Sequence, residues 1–175
     1  FWAHQQTSIY SDYDSNTPLQ ASEFKLPHAI RFGMSYDEVL RLCGDAAVNA
    51  EPGEHLECEG YHYTFYDKSG LTSAAIRSAA DGSASDPTTP TIRGIRLGDS
   101  MESVFDKFPC TDRELKRWAM QTVYDDGTGY SAGLEFVADS FYFLRLYTPE
   151  GYVAAITFAR ADNTVKYIDL DGPGM

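Results

Sequence analysis

The chain has 175 residues, 43% of them hydrophobic and 14% aromatic, enough for one ordinary domain or two small lobes sharing a core. Its 26 Asp and Glu against 14 Lys and Arg leave a net charge of −12, which argues against nucleic acid as a partner and against anionic lipid surfaces, since both are bound through clustered Lys and Arg. No apolar run approaches the ~20 residues of a membrane-spanning helix. The start at Phe1-Trp2-Ala3-His4, without Met, reads as the trace of a removed signal peptide or membrane anchor, and so as an extracytoplasmic domain.

Residues 1–27 read as a polar N-terminal arm, extended or mobile, because Ser, Asp, Asn and Thr cluster between Tyr10 and Pro18 and neither the helical nor the strand period is present. Asp12, Asp14, Asn16 and Glu23 stand at ligand positions of a calcium-loop pattern, but Thr17 occupies the position where the sharp turn needs Gly, so a solvated acidic arm is the better reading.

Repeat 1, residues 28–80, opens with Ile30-Arg31-Phe32-Gly33-Met34-Ser35-Tyr36-Asp37-Glu38-Val39-Leu40, which returns as Ile95-Arg96-Leu97-Gly98-Asp99-Ser100-Met101-Glu102-Ser103-Val104-Phe105. Each copy runs to a Gly, then a Ser suited to cap a helix. Tyr36, Val39, Leu40 and Cys43 then follow the i, i+3, i+4, i+7 stripe of a half-buried helix, as do Met101, Val104, Phe105 and Phe108. Ser35 with Glu38 forms a capping box, and Asp99 with Glu102 does so if the second cap lies one residue earlier. After a turn at Glu51-Pro52-Gly53-Glu54, His55 to Tyr66 reads as one strand, with Cys58 and His62 on one face and His55 on the other, which disfavours a local metal cluster. A hairpin around Gly70 is echoed by one around Gly151, aligning Phe65-Tyr66 with Leu146-Tyr147. Of the three cysteines, Cys43 and Cys58 are the best disulfide pair, closing a short loop worth roughly 3 kcal/mol, with Cys43 as a buried free thiol the alternative, since it aligns with Phe108, and Cys110 left free.

Residues 81–91 have linker composition, and residues 92–175 form repeat 2. There Thr111 and Glu114 offer a capping box for a short second helix carrying Leu115 and Trp118. Strands are expected near Gln121–Tyr124, Leu134–Ala138, Phe141–Tyr147, Tyr152–Ala159 and Val165–Leu170, with Asp125-Asp126-Gly127 as a turn rather than an acid/base pair. The fold class is therefore α+β, two tandem helix-plus-antiparallel-sheet repeats in two layers.

Phe32-Gly33-Met34-Ser35 with Val39-Leu40, Gly44 and Cys58, and more loosely Gly98-Asp99-Ser100 with Val104, resemble the repeats of the β-lactamase inhibitory protein family. The Gly-x-Ser/Thr-x-x-x-Val signature is also similar to that of small outer-membrane-assembly lipoproteins and of secreted proteins of Gram-positive bacteria. Over residues 28–170 the resemblance implies paired helix-on-sheet lobes whose combined sheet forms a protein-binding saddle.

Three function classes remain: an extracytoplasmic protein-binding module, a cell-envelope scaffold or assembly lipoprotein, and a secreted hydrolase. Catalysis needs convergent titratable groups, yet His4, His28, His55 and His62 fall in the arm, a connection and one strand, so the chain reads as non-enzymatic, with no cofactor or metal. A two-layer fold covers one sheet face only. In Phe141 to Tyr147 the even positions suit the core, which leaves Phe141, Phe143, Arg145 and Tyr147 open; the hairpin alignment adds His62, Thr64 and Tyr66 to the same side. These seven are the expected partner-binding residues, aromatics around an Arg being typical of interface hot spots.

Overall fold

Period-two alternation of apolar and polar residues dominates the described chain and forms nine strands. They are β1 (Ala47–Glu51), β2 (His55–Cys58), β3 (Tyr61–Tyr66), β4 (Gly70–Arg77), β5 (Gln121–Asp125), β6 (Ser131–Val137), β7 (Phe141–Tyr147), β8 (Val153–Ala159) and β9 (Thr164–Asp171). The computed structural model describes residues 9–66, 69–77, 88–115, 120–137 and 140–174. All nine strands join one antiparallel sheet in the order β1-β2-β3-β4-β9-β8-β7-β6-β5. Paired residues share a face, so one buried row runs through Tyr63, Ala74, Leu170, Ala154, Leu146 and Ala132.

This overturns the expected α+β pair of helix-plus-sheet lobes. Besides Ile9 and Tyr10, α-helix among the described residues is confined to α1 (Tyr36–Cys43) and α2 (Met101–Phe105). Both stripes are amphipathic, with Val39, Val104 and Phe105 buried, but Gly44 ends α1 at φ 54° and α2 is only five residues long. The β4–β9 pairing, from Ser73 opposite Asp171 to Arg77 opposite Tyr167, fuses the two expected lobes into one sheet. Among the described residues no helix is long and apolar enough to cross a membrane.

What does recur is a corner in front of each helix. A tight turn places His28 and Arg93 at φ 58° and 51°. Gly33 N–H then donates to Leu71 O (2.9 Å) and Leu71 N–H to Met34 O (2.8 Å); likewise Gly98 N–H donates to Val165 O and Val165 N–H to Asp99 O, both at 2.9 Å. Leu71 on β4 thus corresponds to Val165 on β9, which corrects the alignment of the Gly70 hairpin with that at Gly151. Gly70 is required at its position: it has φ 67°, and a Cβ there would lie 2.5 Å from the Gly33 and Met34 carbonyl oxygens. Ser35 and Ser100 cap the helices, accepting from Glu38 N–H (3.2 Å) and Ser103 N–H (3.1 Å). Asp99 is not the second cap; its carboxylate accepts from Arg96 N–H at 2.9 Å.

The N-terminal segment is also corrected. From Ile9 onward it is no free arm but a strap across the core face, burying Tyr10, Leu19, Phe24 and Leu26. Tyr10 Oη lies 3.2 Å from Tyr61 Oη of β3, and Leu19 N–H donates to Tyr124 Oη of β5 at 3.5 Å. Its apolar anchors are too widely spaced to show a period. Arg93 bolts the strap down: its guanidinium, 1% exposed, donates to both Glu23 carboxylate oxygens (2.8 and 2.9 Å) and to the carbonyls of Thr17, Pro18 and Lys107, lying between the Tyr13 and Phe108 rings.

The expected helix after Thr111 does not form over Thr111–Leu115, where Thr111 N–H and Oγ1 both donate to Val123 O (3.1 and 3.0 Å); Trp118 lies outside the described residues. Of the linker, residues 81–87 also lie outside them, while Thr89, Pro90 and Thr91 are buried.

Candidate functional site: the uncovered sheet face

The strap, corners and helices lie on one side of the sheet. On the other side Tyr66, Phe141 and Tyr147 remain 72%, 40% and 38% exposed. Alternation along β7 buries Tyr142, Leu144 and Leu146 and turns Phe141, Phe143, Arg145 and Tyr147 outward; along β3 it buries Tyr61, Tyr63 and Phe65 and turns out His62, Thr64 and Tyr66. The seven residues therefore share a face, but as two wings rather than one patch. From β3 to β7 there are four strand steps through β4, β9 and β8, about 19 Å at ~4.8 Å each.

Cross-strand rows show what lies between the wings. One row reads His62, Ala75, Asp169, Ala155, Arg145, Gly133, with a titratable group at alternate positions and small residues between them. The next reads Thr64, Ser73, Asp171, Val153, Tyr147, Ser131. Asp169 and Asp171 thus occupy the middle of the face. Burial pushes the Asp169 carboxyl above its ordinary range, with Arg77 opposing and Asp171 adding to the rise. Asp171 is raised by burial too, against a lowering hydrogen bond from Ser73.

Each wing carries an ion pair, His62 Nδ1 with Glu57 Oε1 at 3.0 Å and Arg145 with Glu135, and Arg145 also lies over the Phe143 ring at 5.4 Å. Arg77 covers Tyr167 near the centre at 5.7 Å. Sequence reasoning missed Asp169, Asp171, Glu57, Glu135 and the Arg77–Tyr167 pair. The alternation of Ile168 and Leu170 with Tyr167, Asp169 and Asp171 was the available signal for β9; its central place in the sheet was not.

The stretch His55 to Tyr66 is not one strand but a hairpin, turning at Glu59 and Gly60 with φ 49° and 89°. The turn shifts the face assignment, so that His55 and His62 both face outward and Cys58 faces the core. His55 Nδ1 lies 3.5 Å from Thr64 Oγ1, and Ser73 leans on Asp171 instead, so neither contact joins a hydroxyl to both an imidazole and a carboxylate. Glu51, Glu54 and His55 bring one ligand atom each within 4.8 Å of one another at the exposed sheet edge, and are a loose set that could hold a cation.

Cys43 and Cys58, expected as a disulfide, are buried free thiols in contact, the Cys58 thiol hydrogen-bonded to Cys43. That bond lowers Cys43 and raises Cys58. Cys110 stands apart, its thiol pushed up to about 12 by burial. In the strap, Glu23 is committed to Arg93 and to the Gln20 N–H, and Asp14 accepts from Asn16 N–H, so these carboxylates serve local structure. Asp125 and Asp126 are turn formers, accepting from Gly127 and Thr128 N–H at 2.8 Å each.

Comparison with known proteins yields no match among family models, curated proteins or solved structures.

Proposed function

We propose that the chain is a non-enzymatic, extracytoplasmic protein-binding module that takes its partner on the uncovered sheet face. The observation that carries this reading is the pair of aromatic wings on one open face, around Tyr66 and around Tyr147, with an acidic centre of half-buried Asp169 and exposed Asp171 between them. A standard interface buries ~800 Å² per partner, a patch about 28 Å across, so one partner can span both wings. Exposed aromatics beside Arg145 supply the anchors of such an interface. The acidic centre and the net charge of −12 favour a partner that brings Lys or Arg to the middle of the contact.

The test is capture from the native secretome or envelope by wild-type chain and by the Tyr147→Ala, Arg145→Ala double variant. A specific partner should be retained by the first and lost by the second, since hot-spot truncations cost ~2 kcal/mol or more each, roughly 30-fold. The thermal midpoint should stay nearly unchanged, because both side chains point to solvent. A double variant that unfolds, or that keeps its partner, defeats the proposal.

A further inference from the structure

A second surface lies on the opposite side of the molecule, where the strap, the first corner and α1 wall a groove of about 1790 Å³. Its floor is aromatic: Tyr152, from the turn between β7 and β8, meets Phe24 at 5.1 Å and Phe32 edge-on at 5.9 Å between ring centroids. Its charge is the reverse of the chain's. Lys25, Arg31 and Arg41 line it, all exposed and, among the described residues, in no ion pair, whereas Glu38 is the one carboxylate in the lining. Glu38 accepts from Ser35 N–H at 2.8 Å, and that bond, foremost, with Arg41 and Arg31 adding, holds its carboxyl below the usual range, so that its one negative charge leaves the three cations in excess.

The corner in this wall is strained. His28 and Ala29 stand consecutively at φ 58° and 57°, where the second corner has Arg93 and Gly94. An Ala in the left-handed region costs of order 1 kcal/mol, and such conformations gather at ligand clamps. Gly33 N–H and Met34 O are taken by Leu71, and His28 turns its Nε2 to Glu59 Oε2 at 3.0 Å.

We infer that this groove binds a long-chain acyl carboxylate, with the alkyl chain along Phe24, Phe32 and Tyr152 and the head group between Arg31, Arg41 and Lys25. An apolar trough with a few cations at its rim matches one anionic head on an apolar body, the usual division of labour in small-ligand sites. The site is independent of the sheet face.

Isothermal titration with sodium laurate, below its aggregation concentration, tests the assignment against a dodecyl glycoside and dodecyltrimethylammonium. Laurate should bind one per chain, at least tenfold tighter than either comparator. Arg31→Gln with Arg41→Gln should weaken laurate about tenfold, leave the glycoside unchanged and leave the thermal midpoint in place, both side chains being exposed. Tyr147→Ala with Arg145→Ala should not alter laurate binding, so this site and the sheet face fail or stand separately. Equal affinity for the three amphiphiles, or indifference to the arginine variants, overturns the inference. So does displacement of laurate by an acidic apolar peptide at lower concentration, or a dimer in sedimentation equilibrium that the arginine variants dissolve.

Discussion

Arg93→Met removes the cation at the centre of the strap's attachment while keeping most of the side chain's apolar volume. The wild-type guanidinium is 1% exposed and makes five hydrogen bonds, two to Glu23 and three to the carbonyls of Thr17, Pro18 and Lys107. Removing one partner of a buried pair costs ~3–5 kcal/mol, because the other charge stays behind unpaired. Glu23 is 16% exposed and can recover some water, which places the expected loss near the lower end, about 3 kcal/mol. For a chain of this size that lowers the melting temperature by roughly 6–12 °C at ~2–4 °C per kcal/mol. Urea unfolding followed by circular dichroism should show the shifted midpoint, and limited proteolysis should cut the strap between Tyr10 and Phe24 faster in the variant. Arg93→Lys should recover little, since an ammonium cannot reproduce the planar fork that reaches all four partners. A variant within about 0.5 kcal/mol of wild type, with the strap still protected, would refute the argument that Arg93 holds the segment down.

Asp169→Asn should stabilise the chain near neutral pH. A carboxyl whose folded pKa lies above its unfolded value binds more protons in the folded state, so stability falls as pH rises from the ordinary Asp range through the raised folded value. The gain should therefore vanish at pH ~3, where both states are protonated, and thermal melts showing the same gain there, or no gain at neutral pH, contradict it. Cys43 and Cys58 should close to a disulfide with oxidised glutathione, each thiol losing its proton and the two electrons reducing the oxidant to two thiols. Titration of thiols in the denatured, unreduced chain after this treatment should count only Cys110, and three free thiols would also weaken the extracytoplasmic proposal.

The strands were largely legible because half-buried antiparallel strands write their burial into every second residue. Phe141–Tyr147 shows this most plainly, with its bounds and its inward and outward residues all matching the alternation. The helical stripes were legible as stripes: α1 buries Val39 and Cys43 and α2 buries Met101, Val104 and Phe105, although Tyr36 and Leu40 are only partly buried and Phe108 follows the end of α2. Their weight in the fold was not legible, because a repeated motif announces two equivalent units without saying that β4 and β9 pair at the seam. The hairpin echo misled for a related reason. Turn residues such as Gly70 and Gly151 recur wherever a chain reverses, whereas the equivalence of Leu71 with Val165 rests on hydrogen bonds that a corner makes across the sheet.

The same distinction separates what could be read of the candidate site from what could not. Which way Tyr147 or Tyr66 points is a local property, set by the strand's period, and it was available from the sequence. Which residues lie between them is a matter of strand order. Asp169 is remote in sequence from His62 and Arg145 alike, yet it stands in one row with both because β9 separates β4 from β8. The strap adds the complementary case. Tyr10, Leu19 and Phe24 look like scattered apolar residues in a polar stretch until Tyr61, Tyr124 and Tyr152 supply their partners from three distant parts of the chain. By occupying the core face, the strap leaves the opposite face open, and the proposed partner contact falls there because the seven outward side chains do.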